Sequence, residues 1–439
     1  MGTVMAAKNL RAVAVRGHER PEIADPEGLK ALAQWGAEHV DKSDVAGLSL
    51  FGTAGIVTSQ DRVGGLPTRN WSSGTFEGAE ALGGKRMAET IRKERDTCYA
   101  CAVRCKPVVE VSEGAFPVDA RYGGPEYETL STMGSYCGVS DLEAVARANQ
   151  LCNMYGMDTI SCGATIAWAM DCFEEGLLTE EDTEGLDLHF GNAEALVTLV
   201  ERIGRREGRF ARALGQGSER AADILEMGHD LVVAVKGREF PAHMPQVKRG
   251  IGLLYAVNPG GADHTSYEHD TSYLGYPERM AQLGMHDPQP PEVLNAEKVR
   301  FVLYTQYLVH SIDSVSLCKF VYGGGFQLYD PHQYAQVVRA ATGWDVTLWE
   351  LMKVGERQLN MLRAFNAREG VGSEADTVPS KLLKPLQGGA SDGVAVTAEE
   401  MTEAKALYYQ MAGWDAQGRP TRAKLAELGL SWIDIGHRA

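Results

Sequence analysis

"VSDLEAVARANQLCNMYGMD", residues 139–158, places Leu142, Val145, Ala146, Asn149 and Cys152 at helical spacing. That spacing stacks these side chains on one face of an α-helix, with Ser140 positioned to cap its first turn. The last six residues, "NMYGMD" (153–158), have a distant counterpart in "DSVSLC" (313–318). Each carries Asn or Asp first, an apolar residue fifth, and Asp or Cys sixth. Two related elements in different halves of a chain can grip the two ends of one quasi-symmetric ligand. Two unrelated helix-to-loop junctions are the competing explanation.

Helical periodicity continues outward from this stretch. It is carried by residues 21–46, 77–94, 194–208 and 218–228, and again by 347–370 and 397–414. Residues 65–78 read as a Gly/Ser-rich loop. Residues 239–270, "EFPAHMPQVKRGIGLLYAVNPGGADHTSYEHD", have few helical periods and many Gly, Pro and His, which marks a domain junction and functional loops. At the N-terminus, Leu10, Ala12 and Ala14 alternate with Arg11, Val13 and Val15, a pattern that predicts a short strand. The expected fold class is therefore mainly α, with two multi-helical lobes. Residues 1–20 read as the interior of a domain whose beginning is absent (a family resemblance in the motifs implies a remnant of an α+β domain), with 21–235 expected as the first lobe and 236–439 as the second.

The 439-residue chain is too long for one ordinary core. Its 44% hydrophobic and 23% charged content is that of a soluble globular protein, and no apolar run is long enough to span a membrane. A net charge of −16 argues against non-specific attraction to nucleic acid or anionic lipid. The opening residues have no apolar export core, so a cytoplasmic setting with reduced thiols is expected.

Reduced thiols make "DTCYACAVRCKP" (96–107) informative. Cys98, Cys101 and Cys105 can bind one metal centre, but three thiolates complete neither a tetrahedral zinc site nor a cubane. The fourth ligand must come from Cys137, Cys152, Cys162, Cys172 or Cys318. An iron–sulfur cluster, zinc, and no metal at all stay open on spacing alone. Cys318 is drawn forward because it ends the second of the paired segments.

Together these motifs resemble the aldehyde:ferredoxin oxidoreductases, tungsten enzymes with a bis-pterin cofactor beside a [4Fe–4S] cluster. "CYACAVRC" looks like the family's cluster motif, and residues 123–161 are similar to its central glutamate and first pterin segment. "NPGGADHT" (258–265) resembles its histidine loop, and "DSVSLCKF" (313–320) its second pterin segment. The closing "YYQMAGWDAQGRPTRAKLAELGL" also fits. The resemblance implies that Cys98, Cys101, Cys105 and Cys318 hold the cluster. Asn153, Met157, Asp158 and Thr159 would contact one pterin of a tungsten (or molybdenum) bis-molybdopterin, and Asp313 and Leu317 the other. The catalytic glutamate maps to Glu128 or Glu126, with Glu128 preferred, and the histidine to His264; His243, His269 and His310 are lesser rivals.

The implied reaction oxidises a small aldehyde to a carboxylic acid with water, and electrons leave through the cluster to ferredoxin or another low-potential carrier. An aromatic acyl-CoA reductase subunit on the same scaffold is the alternative, and a non-catalytic iron–sulfur or zinc protein is another. The sequence also departs from the family. The cofactor-base domain that precedes this region in relatives is expected to be truncated away or supplied as a separate polypeptide. The prototype's E-x-x-H pair, which binds iron between subunits, here reads Arg147-Ala-Asn-Gln150, so any homodimer is expected to lack a bridging metal. Pro259 stands where many members carry arginine, and Ser316 where glycine is usual.

Overall fold

The helix read from 139–158 runs from Leu142 to Tyr155, and Asp141 rather than Ser140 caps it. The Asp141 carboxylate accepts from the N–H groups of Glu143 (2.9 Å) and Ala144 (3.1 Å), the donors left free in a first turn. Leu142, Val145, Ala146, Asn149 and Cys152 are all buried. They form the face that packs toward the helices Thr159–Glu174 and Ala193–Arg205. The computed structural model describes residues 2–435 and is mainly helical.

In the second half, the helix Ala296–Ser314 lies at the centre. It packs on Leu348–Arg368, Ala398–Ala412 and Arg249–Val257. Gly355 permits the closest of these approaches, because a Cβ there would lie 1.8 Å from the Tyr307 carbonyl oxygen. Capping boxes start the two long amphipathic helices, Thr347 with Glu350 and Thr397 with Glu400. One apolar core includes both Ala54 and Trp414, and residues from either side of position 235 contribute to it. A smaller cluster of Val40, Val45, Leu48, Val103, Leu328 and Tyr329 lies under the cysteine-bearing loop.

Three local expectations are corrected. Leu10–Val15 form no strand: Gly2–Ala7 is helical, residues 8–23 have no regular structure, and Leu10, Val13 and Val15 are exposed. Alternation alone does not make a strand when no neighbour supplies hydrogen bonds. The periodic stretch 77–94 divides at Gly83 into Ala79–Leu82 and Gly84–Thr90, and its end enters the strand Arg92–Asp96. Within 239–270, Arg249–Val257 is a fully formed helix, buried from Gly250 onward. No helix among the described residues is long and apolar enough to cross a membrane.

Candidate active site

Arg92–Asp96 pairs antiparallel with Lys106–Val109, and Asp96 faces Lys106 across the open end of the ladder. An ion pair of 3.1 Å closes that end, so the loop holding Cys98, Cys101 and Cys105 starts from a fixed base. Ala100 (φ 54°) and Arg104 (φ 54°), each just before a cysteine, adopt the left-handed conformation. Non-glycine residues take this conformation at a cost of about 1–2 kcal/mol each, so the thiols are held at some local expense. Gly52 passes directly beneath: at φ 62° its Cβ would lie 2.7 Å from the Cys105 carbonyl oxygen. Cys101 and Cys105 rest on the small apolar cluster.

Cys318 joins these thiols from the other half of the chain. Although the residue is exposed overall, partial desolvation of its thiol raises its pKa, with smaller contributions from nearby Cys101 and Cys98. Burial also pushes Cys105 up to about 11, with further upward pressure from Glu126, Cys318 and Cys101. Among the described residues, no three of these sulfurs lie within 4.8 Å of one another.

Glu126 and Glu128 begin the short helix Tyr127–Thr132 but face different surroundings. Glu126 accepts from the Thr53 hydroxyl and lies toward Cys105. Glu128 enters a histidine pocket, where its Oε1 lies 3.2 Å from His243 Nε2 and 3.4 Å from His264 Nε2. Its Oε2 accepts from the Ala242 N–H at 2.7 Å, while the Tyr127 hydroxyl donates to the Ala242 carbonyl at 2.6 Å. One short helix thus clamps both sides of the Ala242 residue that precedes His243.

Burial dominates the electrostatics of this pocket. It pushes Glu128 up to about 8, against the Ala242 hydrogen bond and the Lys248 charge. Burial likewise pushes His264 down to about 3, with Asp263 opposing, and holds His243 and His269 well below the usual imidazole range. The imidazoles are therefore neutral at physiological pH. Glu128 Oε1 is buried without a directed hydrogen bond, as are both ring nitrogens of His310. Asp263 also makes the turn its sequence suggests, accepting from the Thr265 N–H and hydroxyl.

The paired segments have matching backbones. Both end a helix through a left-handed residue, Gly156 (φ 70°) and Ser316 (φ 58°). The next N–H reaches back to Cys152 O (2.9 Å) in one and Ile312 O (3.1 Å) in the other. Asn153, Asp158, Asp313 and Cys318 are exposed at corresponding positions, and Met157 and Leu317 are half-buried. The Asn153 side chain donates to Tyr122 O, and Asp158 caps the next helix by accepting from the Ser161 N–H. Thr159 pairs with Thr129, beside Glu128, at 2.8 Å. In the second segment, Lys319 donates to the carbonyls of His264 and Tyr267. The two segments therefore flank the Glu128–His264 pocket.

Ser316 bears the cost that Gly156 avoids. Ser316→Gly is expected to stabilise the protein by about 1 kcal/mol, read as a higher denaturant midpoint with unchanged slope.

Sequence reading gave Lys248 and Lys319 no role and placed His243 behind His264, whereas the structure brings both imidazoles to similar distances from Glu128. His243 and Lys248 sit in a buried irregular loop, and no spacing rule connects them to Glu128. Glu126 is not brought into the histidine pocket. In the helix holding Arg147 and Gln150, Arg147 bonds Pro117 O and Gln150 accepts from the Asp119 N–H.

Comparison with known proteins bears on the family and the fold. The family described as "Aldehyde ferredoxin oxidoreductase, domains 2 & 3" matches residues 30–430. The tungsten-containing aldehyde ferredoxin oxidoreductase of Pyrococcus abyssi is 36% identical over 438 residues, covering 98% of this chain and 68% of that protein. The enzyme of the same name from Pyrococcus horikoshii is equally similar. A WOR-like subunit of an aliphatic sulfonate oxidoreductase from Pyrococcus furiosus is 27% identical, covering 98% of this chain and 65% of that protein. In fold, the chain matches the active-site complex BamBC of benzoyl coenzyme A reductase with a TM-score of 0.74, at 21% identity, over 98% of this chain and 69% of that one. The chain belongs to the aldehyde ferredoxin oxidoreductase family and corresponds to its second and third domains.

Proposed function

We propose that this chain is the cluster-bearing, substrate-facing part of a tungsten- or molybdenum-dependent oxidoreductase that converts small aldehydes to carboxylic acids. The observation that carries the reading is the convergence at Cys318. This residue ends one of two matching helix termini that flank the Glu128–His264 pocket, and it lies beside the thiols of the 98–105 loop.

The donor chemistry fits the family's groups. Cys98, Cys101, Cys105 and Cys318 would hold a [4Fe–4S] cluster. Asn153, Met157, Asp158 and Thr159 would contact one pterin, and Asp313 and Leu317 the other; Asn153, Asp158 and Asp313 are exposed. When bound, the metal–pterin group would accept two electrons and the cluster would pass them on singly, to ferredoxin or a similar carrier. The cofactor-base portion would come from a further domain or polypeptide.

The chain's own residues handle the protons. Aldehyde plus water gives acid, two protons and two electrons. Ionised Glu128 takes a proton from water, and neutral His264 donates a hydrogen bond to the aldehyde oxygen without bringing a full charge into the pocket. The buried surroundings strengthen both interactions. Glu126 lies on the cluster side and would act there rather than on the aldehyde.

The test is metal analysis of anaerobically purified chain, followed by aldehyde-dependent reduction of a low-potential dye. About four irons per chain, a broad visible band, and tungsten or molybdenum where the base portion is supplied are expected. One zinc and no iron would overturn the reading. The fold likeness to BamBC motivates a parallel assay with an aromatic acyl-CoA. The higher identity to the aldehyde enzymes, 36% against 21%, favours the aldehyde.

A further inference from the structure

Lys248 is buried behind the Glu128 pocket and is not part of the chemistry described above. Buried lysines normally pair with a carboxylate. The nearby acid here is Asp270, whose Oδ1 is taken by Lys298 (3.0 Å) and the Gly250 N–H (2.8 Å), and whose Oδ2 accepts from Tyr267 (2.7 Å). Lys248 instead lies 3.2 Å from His243 Nδ1 and donates to Gln60 Oε1 at 3.1 Å. The other nitrogen of His243 is 3.2 Å from Glu128 Oε1. Gln60 is half-exposed in the helix Val57–Arg62. Successive groups stand 3.1–3.2 Å apart from the buried carboxyl to half-exposed Gln60, the Glu128–His243 approach being close but not aligned as a hydrogen bond.

We propose that Glu128, His243, Lys248 and Gln60 form a proton relay that carries the proton gathered by Glu128 out to solvent. The proposal rests on Glu128 being the acid–base group of the pocket. In the outward step, the Glu128 O–H bond breaks as a bond to His243 Nε2 forms. The His243 Nδ1–H bond breaks as a bond to neutral Lys248 Nζ forms. Glu128 becomes a carboxylate and Lys248 an ammonium. The ammonium then loses a proton to water at the Gln60 end, and the starting tautomer returns when the imidazole releases its Nε2 proton to water and takes one from water at Nδ1. No electron moves in these steps.

The surroundings suit such a transfer. Burial pushes Lys248 down to about 8, with Asp270 and Glu128 opposing, and Glu128 stands near the same value. Proton exchange between them is then close to balanced. The other groups facing the relay are His264 and His269, whose rings lie 5.0 and 4.3 Å from that of His243, and Tyr127 at 5.3 Å. Lys319, Asp158, Asp263 and Asp270 act on it through their charge.

The experiment follows the C=O stretch of protonated Glu128 in the full chain by time-resolved infrared spectroscopy after a light-triggered pH jump, with Glu128→Gln as the blank. Lys248→Met is expected to slow proton loss at least about tenfold. In Lys248→Ala, small primary amines are expected to restore the rate in order of their basicity, a response that a purely structural lysine would not give. Gln60→Leu, at the half-exposed end, tests the path without disturbing the core and is expected to slow it by a smaller factor. Unchanged rates in both Lys248→Met and Gln60→Leu, or slowing that amines do not relieve, would overturn the relay. An intact infrared relay with undiminished turnover of Glu128→Gln in loaded enzyme would sustain the relay and remove Glu128 from catalysis.

Discussion

Cys318→Ser, produced anaerobically, is expected to lose the four-iron cluster: iron falls from about four per chain to three or fewer, and the broad visible band collapses. Three of the proposed ligands share one hairpin loop, and only Cys318 crosses from the second half of the chain. Serine keeps the shape at position 318 but offers a poor ligand for iron. The fold should survive, because Cys318 is exposed and outside the apolar core. Far-ultraviolet circular dichroism should therefore match wild type. Cys172→Ala provides the control, since Cys172 is buried in the main core. It is expected to lower stability by about 1–2 kcal/mol through lost packing and to leave iron content unchanged. Full iron in Cys318→Ser would show that the fourth ligand is elsewhere.

Glu128→Gln is expected to lower turnover by about 10²- to 10⁴-fold with metal content unchanged, and also to make the protein more stable near neutral pH. Burial raises Glu128 to about 8, while in the unfolded chain it titrates near about 4.3. Between those values the unfolded chain releases a proton that the folded chain keeps. Stability is therefore highest below the unfolded value and falls by about 1.4 kcal/mol per pH unit as pH rises toward the folded one. Glutamine removes this dependence. Denaturant titrations should show the variant's advantage growing from pH 5 to pH 7.5, reaching roughly 2–4 kcal/mol. A gap that stays constant with pH would place the Glu128 pKa near its ordinary value. Wild-type turnover should rise with pH through about 8, as the carboxylate forms.

Much of this fold was legible in the sequence because helices announce themselves locally. The face of Leu142–Tyr155 and the extents of Leu348–Arg368 and Ala398–Ala412 follow from spacing and caps within a few residues. The strand expected at 10–15 failed because a strand depends on a partner that no local pattern supplies. The repeat of "NMYGMD" and "DSVSLC" was visible as a residue pattern. Their common helix ending, in which Ser316 adopts a glycine-like conformation, was visible only in the backbone.

The sequence by itself determined the helical class, the three-thiol loop and the candidate acids and histidines, since each is a matter of residue type and short-range spacing. Only the tertiary structure decided which of them meet. It separated Glu126 from Glu128, although they are two residues apart, by turning one toward Thr53 and the other toward His243 and His264. It also placed Lys248 behind His243, in contact with Gln60, 188 positions earlier in the chain. Contacts over such separations depend on how whole helices pack, and burial in that packing raises Glu128 and keeps its histidines neutral.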